Sequence, residues 1–194
     1  MTEGAPALAP GARHGKPLAG TVIGMHAGRM RIEIREAADE DWPAVWPFFR
    51  RIMAAGETFT YPVDLAEDEA RGWWLLRPPN RTVVAVDADT GTVVGSAKMN
   101  NNQHGNGSHV ASASYLVDPD HGGRGVGRAL VLDSLDWAGA AGFRGMQFNA
   151  VVETNRHAVR LYERLGFRIV GTVPGAFRHP VEGYVGLHVM FKEL

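Results

Sequence analysis

The sequence predicts an α/β fold, a mixed sheet with helices on its faces, and three observations carry that expectation. Runs that alternate apolar and polar residues take turns with runs at helical spacing. A chain of 194 residues with 45% hydrophobic content can bury one proper core. No internal repeat appears, so a solenoid or propeller is not expected.

RIEIREA, residues 31–37, alternates as a half-buried strand does. ADEDWPAVWPFFRRIMAAG (38–56) opens on acidic residues, as helix starts favour, and continues with apolar residues at helical spacing. GETFTYPV (56–63) reads as a loop and DLAEDEARGWWLLR (64–77) as a second helix. RTVVAVDADTGTVVGSAKM (81–99) holds two β-branched runs around Asp87 to Gly91, a hairpin signal. SHVASASYLV (108–117) is a fourth strand, and residues 125–141 form a third helix. GMQFNAVV (145–152) is a strand and TNRHAVRLYERLG (154–166) a helix capped by Thr154. FRIVGTV (167–173) and YVGLHVMFKEL (184–194) are the last two strands. The order is β-α-α-β-β-β-α-β-α-β-β, the pattern of helices layered on one sheet.

Composition removes several functions. A formal net charge of −1 supplies no global field toward nucleic acid or an anionic membrane, so an anion would have to be bound by local geometry. With no cysteine there is no disulfide, no thiolate metal site and no cysteine nucleophile. The histidines are scattered without metal spacing, so no metal is expected. No apolar run approaches a membrane span of roughly 18–20 residues. The Gly-, Pro- and Ala-rich opening lacks the pattern of a targeting segment, and the expectation is a cytoplasmic protein. Residues 1–30 read as a flexible tail and residues 31–194 as one domain.

The loop DHGGRGVGRAL (120–130) lies between the fourth strand and the third helix, where the free N–H groups of a helix start project from the end of the sheet. Such a place binds phosphate. A P-loop requires Lys and then Ser or Thr after its last glycine, whereas Gly127 is followed by Arg128 and Ala129. The dinucleotide fingerprint also fails, because counting from Gly123 or Gly125 its third glycine falls on Arg128 or Leu130. On glycines alone, a flexible helix start remains an alternative. Downstream, in VVETNRHAVRLYERLGF, Asn155 and Tyr162 are seven residues apart and share a helix face, with Ala158 leaving a shallow patch between them.

Together the loop and this helix resemble the Gcn5-related N-acetyltransferase (GNAT) superfamily, over about residues 31–194. The second motif matches at Asn155, Ala158, Leu161, Tyr162, Gly166 and Phe167. The resemblance implies about seven strands in a mostly antiparallel mixed sheet, about four helices, and a splay between strands four and five. It implies acetyl-CoA as co-substrate, its pyrophosphate wrapped by Gly122, Gly123, Arg124, Gly125, Val126, Gly127 and Arg128. The strand end Tyr115, Leu116 and Val117 would offer backbone donors to the thioester oxygen, and Asn155, Ala158 and Tyr162 would lie beside the pantetheine and sulfur. One departure stands at the loop entrance, where the family's usual Arg or Gln is Gly122.

By the same resemblance Tyr162 protonates the leaving thiolate; a helix tyrosine is otherwise an ordinary packed aromatic. The base that deprotonates the acceptor is open among Glu57, His109 and Glu153, each of which also reads as a solvated or structural group. Trp73 and Trp74 read as core plus surface cover, with an aromatic wall for the acceptor as the alternative. A narrower likeness, in SHVASASYLV, GFRGMQFNAVVETN and the C-terminal stretch, is to the fungal azetidine-2-carboxylate N-acetyltransferases. It places Asn149 against the reacting substrate, while the second asparagine of that branch falls on Ser112. Asn149 also runs against strand propensity, as a polar group placed for a ligand or as a buried amide satisfied by its neighbours.

The resulting expectation is direct acetyl transfer to a small amine or amino acid, such as a proline analogue, with a homodimer suggested by the resemblance. The alternatives are a protein or peptide N-acetyltransferase, a non-catalytic acyl-CoA sensor, and a structural interaction module.

Overall fold

The computed structural model describes residues 30–194, so apart from Met30 the expected tail lies outside the described residues. Seven strands form one sheet: β1 (Ile32–Glu36), β2 (Arg81–Asp87), β3 (Val93–Asn101), β4 (Val110–Val117), β5 (Gly145–Val152), β6 (Arg168–His179) and β7 (Gly183–Glu193). Their order is β1-β2-β3-β4-β5-β7-β6. Every neighbouring pair is antiparallel except β4 with β5. Four helices cover the faces: α1 (Trp42–Ala55), α2 (Glu67–Trp74), α3 (Val126–Ala140) and α4 (Arg156–Arg164). No helix among the described residues is long and apolar enough to cross a membrane.

The expected fold class and element order are those observed, with local differences that have physical causes. Helix α2 is shorter than residues 64–77: Leu75 leaves helical geometry, and Pro78 and Pro79 just beyond can neither donate to a helix nor allow one before them. The cap of α4 is Asn155, not Thr154; Asn155 Oδ1 accepts from the Ala158 N–H at 3.2 Å, the third helical position. Strand β6 continues past Val173 to His179 because it stays paired with β7 through two register shifts. Short 3₁₀ turns at Asp39–Asp41, Gly105–Gly107 and Pro119–His121 were not foreseen.

The two faces of the sheet hold different cores. On one, α1 presents Trp42, Val45, Phe48, Phe49 and Met53, spaced to form a single stripe, and packs with α2 residues Ala70 and Trp74 against Val84 and Leu116. Fully buried side chains of this kind contribute about 1.5–3 kcal/mol each. Trp74 is completely buried and donates from Nε1 to Ser96 Oγ at 2.8 Å, while Trp73 is 39% exposed and meets the Tyr61 ring edge-on. Core plus cover is thus the observed arrangement of that pair. On the other face, α3 and α4 pack over Ala111, Tyr115, Met146 and Phe148. Alternation along β4 therefore sends Ser112, Ser114 and Leu116 toward α1 and α2, and Ala113, Tyr115 and Val117 toward α3 and α4.

Candidate active site

Strands β4 and β5 pair only at Val110 with Gly145 and Ala111 with Met146. Beyond that point they part, although β4 stays paired with β3 as far as Val117. The edge of β4 from Ser112 to Val117 thus faces β5 with no strand partner, the situation in which an extended ligand can add to a sheet. The gap opens into a cavity of about 1030 Å³. It runs from the loop preceding α3, between the strands, to the segment that follows α1.

At the loop end, Gly123 and Gly125 adopt left-handed backbone, φ 74° and 92°, and Gly125 is the N-cap of α3. That geometry turns the chain sharply into the helix. Among the described residues, the N–H groups of Gly123 to Arg128 donate to no backbone acceptor, so six donors gather at one helix start. Gly122, Gly123, Gly125, Val126, Gly127 and Arg128 line the cavity. Arg124 is exposed and lies outside the lining. The lost Arg or Gln at position 122 therefore leaves a backbone cradle intact.

In the middle, Tyr115 and Val117 line the cavity, but the Leu116 side chain does not. Leu116 is buried in the core under α1, so what it can offer the cavity is backbone. Asn155, Ala158 and Tyr162 line the opposite wall, together with Leu161 and His157. With Asn155 Oδ1 capping α4, its Nδ2 and the second lone pair of Oδ1 are left for a ligand. The Tyr162 ring packs on Phe148, centroids 4.6 Å apart, and Phe148 in turn stacks on Phe167 at 4.4 Å. Burial pushes the Tyr162 hydroxyl well above the usual tyrosine range, so it holds its proton. No protein hydrogen bond holds that hydroxyl among the described residues, and it is not sealed from the cavity.

At the far end the wall comes from Glu57, Thr58, Phe59, Thr60 and Tyr61, with Ser112, Ser114 and Asn149 on the strands. Helix α1 stops at Gly56 in left-handed conformation, which brings Glu57 to the rim. Asn149 donates from Nδ2 to Asn102 Oδ1 at 2.6 Å and accepts at Oδ1 from Gln147 Nε2 at 2.7 Å.

Two of the three candidate bases are not brought to the cavity. His109 is exposed at the start of β4, away from the splay, where its carbonyl accepts from the Arg144 N–H. The Glu153 carboxylate is tied to the Gly186 N–H of β7 and lies outside the lining. Glu57 alone of the three lines it. Sequence reasoning missed Arg51, His157 and the Phe59–Tyr61 stretch; the aromatic and threonine pattern of TFTY was the available signal for the last of these.

Residues 31–167 match the family described as Acetyltransferase (GNAT) family. The N-acetyltransferase aca1 of Schizosaccharomyces pombe is 34% identical over 157 residues, 73% of this chain and 75% of that protein. The L-methionine sulfoximine/L-methionine sulfone acetyltransferase of Pseudomonas aeruginosa is 30% identical over 151 residues, 75% of this chain and 85% of that protein. The solved structure of a GCN5-related N-acetyltransferase from Kribbella flavida superposes with a TM-score of 0.81 at 58% identity, covering 84% of this chain and 98% of that one.

Proposed function

Since the chain belongs to the GNAT family of acetyltransferases, we propose that it transfers the acetyl group of acetyl-CoA directly to the amine of a small molecule or amino acid. The observation that carries this reading is the cavity that joins the start of α3, where the N–H groups of Gly123, Gly125, Val126, Gly127 and Arg128 have no backbone acceptor among the described residues, to the unpaired edge of β4. The residues fit the co-substrate: a glycine-lined cradle for a pyrophosphate, then an extended slot for a pantetheine arm. The relative named for L-methionine sulfoximine and sulfone supports an acceptor of amino-acid size. A proline analogue is the narrower candidate, on the residues shared with the azetidine-2-carboxylate branch.

Acetyl-CoA would bring an activated thioester. In this reading the N–H groups from Gly123 to Arg128 hold its diphosphate, and backbone donors near Val117 polarise the carbonyl. Tyr162 keeps its proton through burial and delivers it from Oη to the departing sulfur. Glu57 takes the proton that the acceptor ammonium must lose, and Asn149 orients the acceptor. In this reading transfer is direct within a single ternary complex, and the absence of cysteine excludes a cysteinyl intermediate.

The test is a panel of amines and amino acids scored for acetyl-CoA-dependent thiol release. Release with an amino acid is expected. Binding of acetyl-CoA without release from any amine would make the protein a sensor, and acetylation of peptides alone would make it a peptide acetyltransferase; either outcome overturns the reading.

A further inference from the structure

Resting on the reading that this cavity takes a small amine acceptor, we infer that Asn102 is a positioning residue: it fixes the direction of the Asn149 amide and thereby sets the fit of the acceptor. Asn149 occupies a stretch of β5 that lacks strand partners on both sides. The pairing with β4 ends at Met146, and the pairing with β7 jumps from Phe148 to Val151. The β5–β7 register shifts at Asn149, so the ladder is locally irregular there and its side-chain contacts decide where its amide points.

Those contacts are complementary. An asparagine amide turns about a broad, roughly two-fold torsion, and its two ends differ chemically, one donating and the other accepting. Here Nδ2 gives a hydrogen to Asn102 Oδ1 at 2.6 Å while Oδ1 receives one from Gln147 Nε2 at 2.7 Å. Reversing the amide would face donor with donor at Gln147. One N–H and one lone pair of Asn149 remain for a ligand in the cavity that Asn149 lines, and both have a set direction.

Asn102 reaches this place from just past the end of β3. Its own N–H donates to the Val110 carbonyl at 2.7 Å, which anchors it beside the first residue of β4. Continuing the alternation of β3 puts it on the face of Ser96, toward α1 and α2, the face to which Asn149 also belongs. The three successive asparagines of MNNNQ also divide their work. Asn100 donates to the Asn101 carbonyl and Asn101 to the Gln103 carbonyl, which shape the hairpin itself. Asn102 is the one whose side chain hydrogen-bonds a cavity residue.

The experiment is steady-state kinetics on the full chain with the best acceptor of the amine panel, for the parent, Asn102→Ala, Asn149→Ala and the double variant. Asn102→Ala is expected to raise the acceptor KM about fivefold, the scale of one net hydrogen bond. The acetyl-CoA KM and the melting temperature should stay at parent values. In the Asn149→Ala background the same substitution should change nothing further, since its effect passes through that amide. An unchanged acceptor KM, an equal rise in the Asn149→Ala background, or a parallel rise in the acetyl-CoA KM would overturn the inference. A parent chain that binds acetyl-CoA by calorimetry yet acetylates no small amine sinks the acceptor reading, and the inference with it, before any variant is compared.

Discussion

The rings of Tyr115 and Tyr162 lie 6.1 Å apart, yet their hydroxyls stand in opposite states. Ser134 Oγ gives its hydrogen to the Val131 carbonyl at 2.7 Å, so the 2.6 Å contact between Tyr115 Oη and Ser134 Oγ has the tyrosine as donor. That bond fastens β4 to α3. The Tyr162 hydroxyl, by contrast, has no such commitment and opens on the cavity. Of the two neighbouring phenols, the one proposed as proton donor is thus the one whose hydroxyl has no protein partner among the described residues.

Replacing Tyr162 by Phe keeps the ring packed on Phe148 and removes the proton donor. The kcat should fall by about 10²- to 10⁴-fold, with acetyl-CoA affinity preserved. Tyr115→Phe should leave the kcat near the parent and instead cost about 1 kcal/mol of stability, the usual net worth of a hydrogen bond. Because burial raises the pKa of Tyr162, the donor form persists across the working range, and no alkaline fall in kcat below pH about 9 should be traceable to it. A limb of that kind that disappears in Tyr162→Phe would count against the raised pKa, and a Phe variant turning over at the parent rate with chemistry rate-limiting would count against the proton-donor role.

Gly127 offers the cleanest probe of the cradle. A Cβ built there would meet Leu161 and Val117 at 3.6 Å, an ordinary contact, so Gly127→Ala should fold with nearly the parent melting temperature. The added methyl would stand where a diphosphate needs bare backbone, and acetyl-CoA affinity should drop about tenfold or more. Gly125, with φ at 92°, is a poorer probe, since any side chain there strains the loop itself. Calorimetry with parent-like affinity in Gly127→Ala would remove the loop from the site.

What could be read from the chain follows how local the physics is. The α3 cradle was legible because glycine spacing and a helix start occur within a dozen residues, and the Asn155–Tyr162 wall because it lies on one helix. Glu57 was named by its place in a loop. His109 was named on the fourth strand and Glu153 just after the fifth, and both ended elsewhere, since which end of β4 meets the splay and which strand receives the Glu153 carboxylate are fixed by pairing distant in sequence. Asn102 and Arg51 escaped notice for the same reason: their partners, Asn149 and Asp118, are 47 and 67 residues away. The Thr154 cap was a near miss, decided by which of two adjacent polar side chains reaches the Ala158 N–H.

Acid should weaken the fold at the start of α1. Asp41, almost fully buried, takes a two-pronged contact from Arg35, both distances 2.7 Å, and accepts from the Ala38 N–H at 2.8 Å. The Arg35 guanidinium holds its carboxyl below the usual carboxylate range, against the opposing effect of burial. A lowered folded-state pKa means stability that is present above the ordinary value, near pH 4, and lost as pH falls through the lower one. Asp41→Asn should therefore cost roughly 1–3 kcal/mol at pH 7 and flatten the stability profile below pH 4. Melting curves of the two proteins at pH 7 that coincide would show the pair to be dispensable.

Arg51 binds α1 to the rim of the cradle: its guanidinium lies 2.6 Å from Asp118 and 3.1 Å from Asp120, and all three residues line the cavity. Two carboxylates beside a place proposed for a diphosphate oppose the anion, and the guanidinium offsets them. Arg51 is half exposed and Asp120 more so, so the loss of the guanidinium should barely touch folding. Its effect belongs to binding instead. Arg51→Ala is expected to weaken acetyl-CoA affinity about fivefold at low salt, close to 1 kcal/mol. The deficit should shrink as ionic strength rises, because exposed charges are screened over about 8 Å at physiological salt. Adding Asp120→Asn to Arg51→Ala should recover part of the loss by removing one of the unmasked charges. If calorimetry at low salt gives the same affinity for parent and Arg51→Ala, the carboxylates do not face the anion, and the diphosphate lies elsewhere along the loop.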